Sequence, residues 1–115
     1  MRHNSLPFTA ARAVAALVLV FPLPGRAGEV AEAQAARAKA TQCFACHGAD
    51  GLAKAPDAPN LAGQNESYLV KALTDYKSGA RRHEVMAMMT KNLSAADIAL
   101  IAAYYSRISV AVKAP

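Results

Sequence analysis

Apolar positions change character several times along the chain. From Ala13 to Phe21 they run without interruption (AVAALVLVF), and Pro22, Pro24 and Gly25 then break any helix. Glu29 to Gln42 (EVAEAQAARAKATQ) holds strong helix formers with no glycine or proline, which predicts a helix. Its candidate buried face is nearly all alanine, so propensity makes the helix and small side chains permit close packing. From Gly48 to Gly63 the sequence turns to Gly, Pro, Asp and Asn, predicting a loop of about sixteen residues. A loop that long in so small a chain usually wraps something. Between Glu66 and Ser78, Tyr68, Leu69, Ala72, Leu73 and Tyr76 recur at helical spacing, an amphipathic helix that Gly79 ends. Arg81 to Asn92 reads as a second irregular stretch, with three methionines. Ser94 followed by Asp97 then reads as a capped helix start, and Ile98, Ile101, Tyr104, Tyr105 and Ile108 form the apolar stripe of a closing helix. No alternating strand pattern and no internal repeat appears. The expected fold is all-α, with three main helices joined by long loops.

Composition makes this core look thin. The chain has 115 residues and 12.0 kDa, enough for one small domain. Its 54% hydrophobic content includes 28 alanines, and there is no Trp. A domain of this size buries only about 60% of its unfolded surface, and alanine adds little apolar area, so something besides side chains should supplement the core.

The N-terminus has the grammar of a secretory signal: Arg2 and Arg12, the apolar run, then Gly25 and Ala27 as small residues before a cut. The expected organisation is a signal peptide over 1–27, cleaved after Ala27, and a domain over 28–115. The apolar run is far shorter than the roughly 20 residues a membrane-spanning helix needs, so no membrane span should remain after cleavage. His3 falls in the signal and receives no role. Losing Arg2, Arg12 and Arg26 takes the net charge from +5 to +2, so the whole-chain pI of 9.5 overstates basicity. No Lys/Arg run exceeds Arg81-Arg82 and no aromatics interleave with basic residues, so nothing supports nucleic-acid binding. Export implies a periplasmic, oxidising location, where two cysteines would ordinarily be read as a disulfide.

Their spacing argues otherwise. Cys43-Phe44-Ala45-Cys46-His47 is Cys-x-x-Cys-His, the haem c attachment signature. Two thiols at this spacing can form thioethers with the two vinyl groups of one haem, and the adjacent imidazole can bind iron. Covalent attachment keeps the cofactor from being lost outside the cell and supplies the missing core. A thioredoxin-like redox pair would want a preceding strand, and none is visible. A zinc site would want four ligands, and the remaining His and acids show no paired spacing.

With this motif the chain resembles the small class I bacterial c-type cytochromes, which occur singly or as one lobe of two-haem proteins. The resemblance runs from about Ala36 to Ile108 on CFACHGADG (43–51), APNLAGQ (58–64), YLVKALTDYKSGARR (68–82) and MAMMTKNLSAADIALIAAYYS (86–106). It implies the class I cytochrome c fold: N- and C-terminal helices crossing, a middle helix, and long loops wrapped around one haem c attached through Cys43 and Cys46. His47 would be one iron ligand and a methionine before the last helix the other.

The residues alone do not choose among Met86, Met88 and Met89. In similar cytochromes the ligand stands seven residues before the Leu-Ser that opens the final helix. With Leu93-Ser94 here, that is Met86. Met89 matches a packing methionine of the same pattern, and Met88 and Met89 read as flexible core filler. His83, between Arg82 and Glu84, is the rival ligand but reads as a solvated loop residue. Pro59 matches the proline whose carbonyl receives the ligand imidazole's N–H. Leu61 matches a residue packed on the haem, and Gly63 a nearby loop glycine. Tyr68, Leu73 and Tyr76 are expected around the porphyrin and the helix interface.

The function this implies is an exported single-electron carrier rather than an enzyme, because His47 and Met86 would leave no iron position for a substrate. Transient redox proteins would be its partners, docking on an apolar, mildly charged rim near Lys54, Arg81, Arg82 and Lys91, with a monomer as the expected state. Two alternatives stay open: a cytochrome subunit permanently docked to a dehydrogenase or oxidase, and a gas-binding or catalytic haem protein.

Overall fold

A computed structural model gives the structure of the chain and describes residues 24–115. Apart from its last four residues, the expected signal segment over 1–27 lies outside the described residues. The described residues form five α-helices: α1 (Pro24–Ala40), α2 (Phe44–His47), α3 (Glu66–Ser78), α4 (Glu84–Thr90) and α5 (Ala95–Ser106), with a 3-10 turn over Thr41–Cys43 between α1 and α2. There is no strand among the described residues.

The main helices fall where the apolar pattern puts them, with three differences. The first begins at Pro24 rather than Glu29, since proline is tolerated at the first helical position, where its missing N–H has no partner to lose. The stretch from Arg81 to Asn92, expected to be irregular, contains α4. Glu84–Thr90 has no glycine or proline, and the His83 ring supplies the cap by accepting a hydrogen bond from the Met86 N–H. The closing helix ends at Ser106, so Ile108 packs against the core from beyond the helix.

α1 packs on α5, and α3 packs on both α4 and α5. The first of these contacts joins the two ends of the domain, and alanine makes it possible. Ala36, Ala40, Ala102 and Ala103 are all buried, Ala40 and Ala102 completely. With only methyl groups in the way, the two helices approach closely and lose no side-chain rotamers. Around this seam lie Leu69, Leu73, Leu93, Ile98, Ile101 and Tyr105 as the rest of the core. Polar contacts edge it: Lys39 to Asp97 at 2.8 Å, Arg107 to Glu32 at 2.9 Å, and Arg37 to the Tyr104 hydroxyl at 3.1 Å. Exposed pairs of this kind add little stability each, so the alanine seam carries the packing.

Gly79 at the end of α3 and Ser94 with Asp97 at the start of α5 act as the sequence suggests. Asn65 accepts from the Tyr68 N–H at the start of α3, and Gly79 ends it in the left-handed conformation. Ser94 and Asp97 form a reciprocal capping box at the start of α5. Replacing Ser94 with alanine should lower stability by about 1 kcal/mol, measured by thermal or urea unfolding.

Asp97 also carries a pH dependence. Its carboxylate is held down at a pKa of about 2, first by the hydrogen bond from Lys39 and then by the backbone N–H of Ser94. The carboxylate form is therefore favoured by folding. The stabilisation is fully present above the ordinary carboxylate range and is lost as pH falls from about 4 toward 2. The Tm difference between wild type and Asp97→Asn should be full at pH 6, shrink steeply below pH 4 and reach its minimum only below pH 2.

Candidate functional site

The Cys-x-x-Cys-His segment sits where α1 gives way to the 3-10 turn and α2. Cys43 closes the 3-10 turn and His47 closes α2. The change of helical pitch brings the chain from the α1–α5 seam to the loop that begins at Gly48. Cys43 is partly buried and packs on the core, whereas Cys46 is exposed, and both thiols are free. Burial, and the neighbouring Cys46 sulfur after it, push the Cys43 thiol up to about 11. Such a thiol is protonated at neutral pH, the opposite of the lowered pKa that a disulfide oxidoreductase needs. No group of three or more His, Cys, Asp or Glu side chains that could hold a metal ion by themselves occurs among the described residues.

His47 is buried, and its Nδ1 lies 2.9 Å from the Pro59 carbonyl oxygen. A carbonyl has no proton to give, so Nδ1 must carry the hydrogen and donate it. The tautomer is thereby fixed, and Nε2 is left with its lone pair free to ligate a metal. The loop that brings Pro59 to His47 is folded on its own backbone. The Cys46 carbonyl accepts from the Lys54 and Ala55 N–H groups at 2.8 and 3.3 Å, and the Gly51 carbonyl from Leu61 and Ala62 at 2.8 and 3.1 Å. Asn60 accepts from the Ala53 N–H at 2.7 Å, and Asp50 pairs with Lys54 at 3.0 Å. Gly51 has φ +71, and a Cβ there would stand 2.6 Å from the Ala62 backbone nitrogen. Only glycine allows the two limbs of the loop to approach this closely.

Met86, Met88 and Met89 lie on α4, so helical periodicity separates them. Met86 and Met89 are partly buried, Met86 packing against the core, and fully buried Thr90 follows on the same side. Met88 is 68% exposed, beside Val85 at 46%. The expectation of Met88 as core filler is therefore corrected: it occupies the outward side of a helix that the sequence reading treated as irregular. Both backbone polar groups of Met86 are held by side chains, the N–H by His83 and the carbonyl by the Thr90 hydroxyl at 2.8 Å. His83 is exposed, as expected, but its cap on α4 was missed, since a histidine between Arg and Glu carries no cap signal.

Leu61 packs against the same core as Cys43, Phe44 and Met86. Leu73 is buried and Tyr76 partly buried, while Tyr68 is 49% exposed. Arg81 stacks on the Tyr76 ring at 4.7 Å. Sequence reasoning also missed what Tyr104 and Tyr105 do: their hydroxyls donate to the carbonyls of Ala49 and Gly48, directly after His47. Periodicity shows that a tyrosine is buried but not which carbonyl it meets.

Two free thiols, an imidazole with Nε2 presented, and a partly buried thioether on a packed helix are a donor set that fits a covalently bound haem. The fold and site define a helical protein of the haem c class. The chain belongs to the cytochrome c family, whose family model, described as Cytochrome c, matches residues 31–108. It carries one haem c through Cys43 and Cys46.

Among relatives, it is 46% identical over 96 residues to cytochrome c4 of Pseudomonas aeruginosa, an alignment covering 84% of this chain and 48% of that protein. It is also 46% identical over 78 residues to cytochrome c-554(548) of Halomonas halodenitrificans, covering 65% of this chain and 94% of that one. A solved cytochrome c4 structure from Acidithiobacillus ferrooxidans superposes with a TM-score of 0.60 at 34% identity, over 66% of this chain and 49% of that one. The chain thus spans about half the length of the cytochrome c4 proteins it matches.

Gly51→Ala should lower the stability of the haem-loaded protein by about 1–3 kcal/mol, through left-handed strain and the clash with Ala62, measured by thermal unfolding.

Proposed function

We propose that this chain is an exported, periplasmic single-electron carrier, with His47 Nε2 and the Met86 thioether as the two axial ligands of its haem iron. The observation that carries the reading is the His47–Pro59 hydrogen bond, which presents Nε2 and no other ring nitrogen for ligation. Bound at Cys43 and Cys46, haem c supplies an iron centre that gains and loses one electron without breaking a bond.

The chain's own residues set how readily that happens. The Pro59 carbonyl, by accepting from Nδ1, orients the His47 ring and raises its basicity. Met86 offers a soft thioether that favours ferrous iron, and burial against Leu61 and the core disfavours the extra charge of the ferric form. Both effects push the potential positive. Two protein ligands leave no position for substrate, which supports a carrier rather than a catalyst. The N-terminal signal pattern, cut after Ala27, supports export, and no single helix among the described residues is long and apolar enough to cross a membrane.

Redox proteins are the partners this reading implies, met transiently over less than about 1,200 Å². Leu52, Val85 and Met88 offer exposed apolar contacts, and the exposure of Arg82 and Lys91 supports a mildly charged docking surface. One copy with one haem is a sufficient working unit.

The test is the absorption spectrum of protein matured with haem, before and after Met86→Ala. Wild type should show a far-red sulfur-to-ferric-iron band that the variant lacks, and only the reduced variant should bind carbon monoxide readily. Survival of the band in the variant would transfer ligation to Met89 or Met88. A wild type without the band would overturn His/Met ligation altogether.

A further inference from the structure

Tyr105 is completely buried in the last turn of α5, and its hydroxyl must find a partner there. It donates to the Gly48 carbonyl at 3.2 Å. Burial pushes the phenol well above its ordinary pKa, so it remains a donor at any physiological pH. The same residue works from its backbone too: the Tyr105 carbonyl accepts from the Gly63 N–H at 3.0 Å. Gly48 and Gly63 are the two ends of the loop that carries Pro59. One residue of α5 therefore grips both ends of that loop at once.

The remaining links close a ring. Gly48 follows His47 in the chain. Gly63 stands four residues after Pro59, and between them Leu61 and Ala62 donate to the Gly51 carbonyl. Pro59 in turn accepts from His47 Nδ1 at 2.9 Å. The circuit runs from His47 through Gly48 to Tyr105, on to Gly63, back along the loop to Pro59, and home to the imidazole. Tyr104 adds a parallel hold on Ala49 through its hydroxyl, but its own backbone carbonyl makes no link to Gly63.

We infer that Tyr105 is a positioning residue for the iron ligand: its hydroxyl and its carbonyl fix the separation of Gly48 and Gly63, and so keep the Pro59 carbonyl seated on the His47 N–H. This rests on His47 being the axial ligand, as proposed above. The direction of the effect follows. A looser bond to Pro59 makes the imidazole less basic, a less basic imidazole stabilises ferric iron less, and the midpoint potential rises.

Tyr105→Phe tests it in the haem-loaded protein. The Gly48 carbonyl also accepts from the Gly51 N–H at 3.2 Å, so the variant orphans no buried acceptor. In the reduced, diamagnetic state, the His47 Nδ1 proton should exchange with solvent about two- to tenfold faster than in wild type, the loss of one net hydrogen bond. The midpoint potential should rise with it, while the far-red sulfur band stays in place. Ser94→Ala calibrates plain destabilisation of the same helix from its far end. If Tyr105→Phe moves proton exchange and potential no more than Ser94→Ala does, Tyr105 only packs and the inference is overturned. A band missing from wild type itself would instead overturn the ligand assignment. Wild type alone gives a second reading should the variant accumulate poorly. One circuit requires that the His47 Nδ1 proton and the Gly63 amide open together with matching protection, and widely different protection would break it.

Discussion

A carbonyl oxygen cannot donate a hydrogen bond, and much of this structure serves that one fact. Pro59 can meet His47 only if the imidazole carries its proton on Nδ1, and meeting it there requires a long loop to double back on itself. The loop contains no helix or strand to stiffen it, so it borrows stiffness from its own crossed backbone bonds at Cys46 and Gly51. Glycine at 51 permits the close approach that makes those bonds. The tyrosines of α5 anchor the point where the loop leaves His47. A histidine free to rotate would be a poorer ligand and a less constant one.

Met86 shows the same economy by other means. Its backbone is fixed at both polar groups by His83 and Thr90, and the short helix that carries it turns Val85 and Met88 outward. One seven-residue element thus turns two thioethers, Met86 and Met89, toward the interior and offers the surface a third, Met88. Leu52, Val85 and Met88 leave apolar side chains exposed on the loop and on this helix.

The order and type of the main helices were legible because their signals are local. Alanine-rich propensity, the spacing of Tyr68 to Tyr76 and the Ser94–Asp97 box need no tertiary information. The attachment motif was legible for a chemical reason, since two thiols and an imidazole at fixed spacing have few other uses in an exported chain. α4 was not legible, because its cap is a histidine ring and its methionines carry no strong periodic contrast. Nor was the outward position of Met88, which depends on that helix existing. Hydroxyl-to-carbonyl bonds across more than fifty residues, such as Tyr105 to Gly48, leave no trace in a sequence at all. Pro59 was reached by resemblance to the family, and the geometry supplies the physical reason that the resemblance lacked.

The alanine seam between α1 and α5 has a consequence in time as well as in space. A chain is made from its N-terminus, so α1 and the thiols that follow it emerge before α5, the partner that completes their packing. Until those final residues arrive, the core against which Cys43 packs is unfinished, and its sulfur stays open to any enzyme that must reach it. The topology sets a delay between the appearance of the attachment site and its enclosure, and covalent modification of the chain falls naturally within that delay.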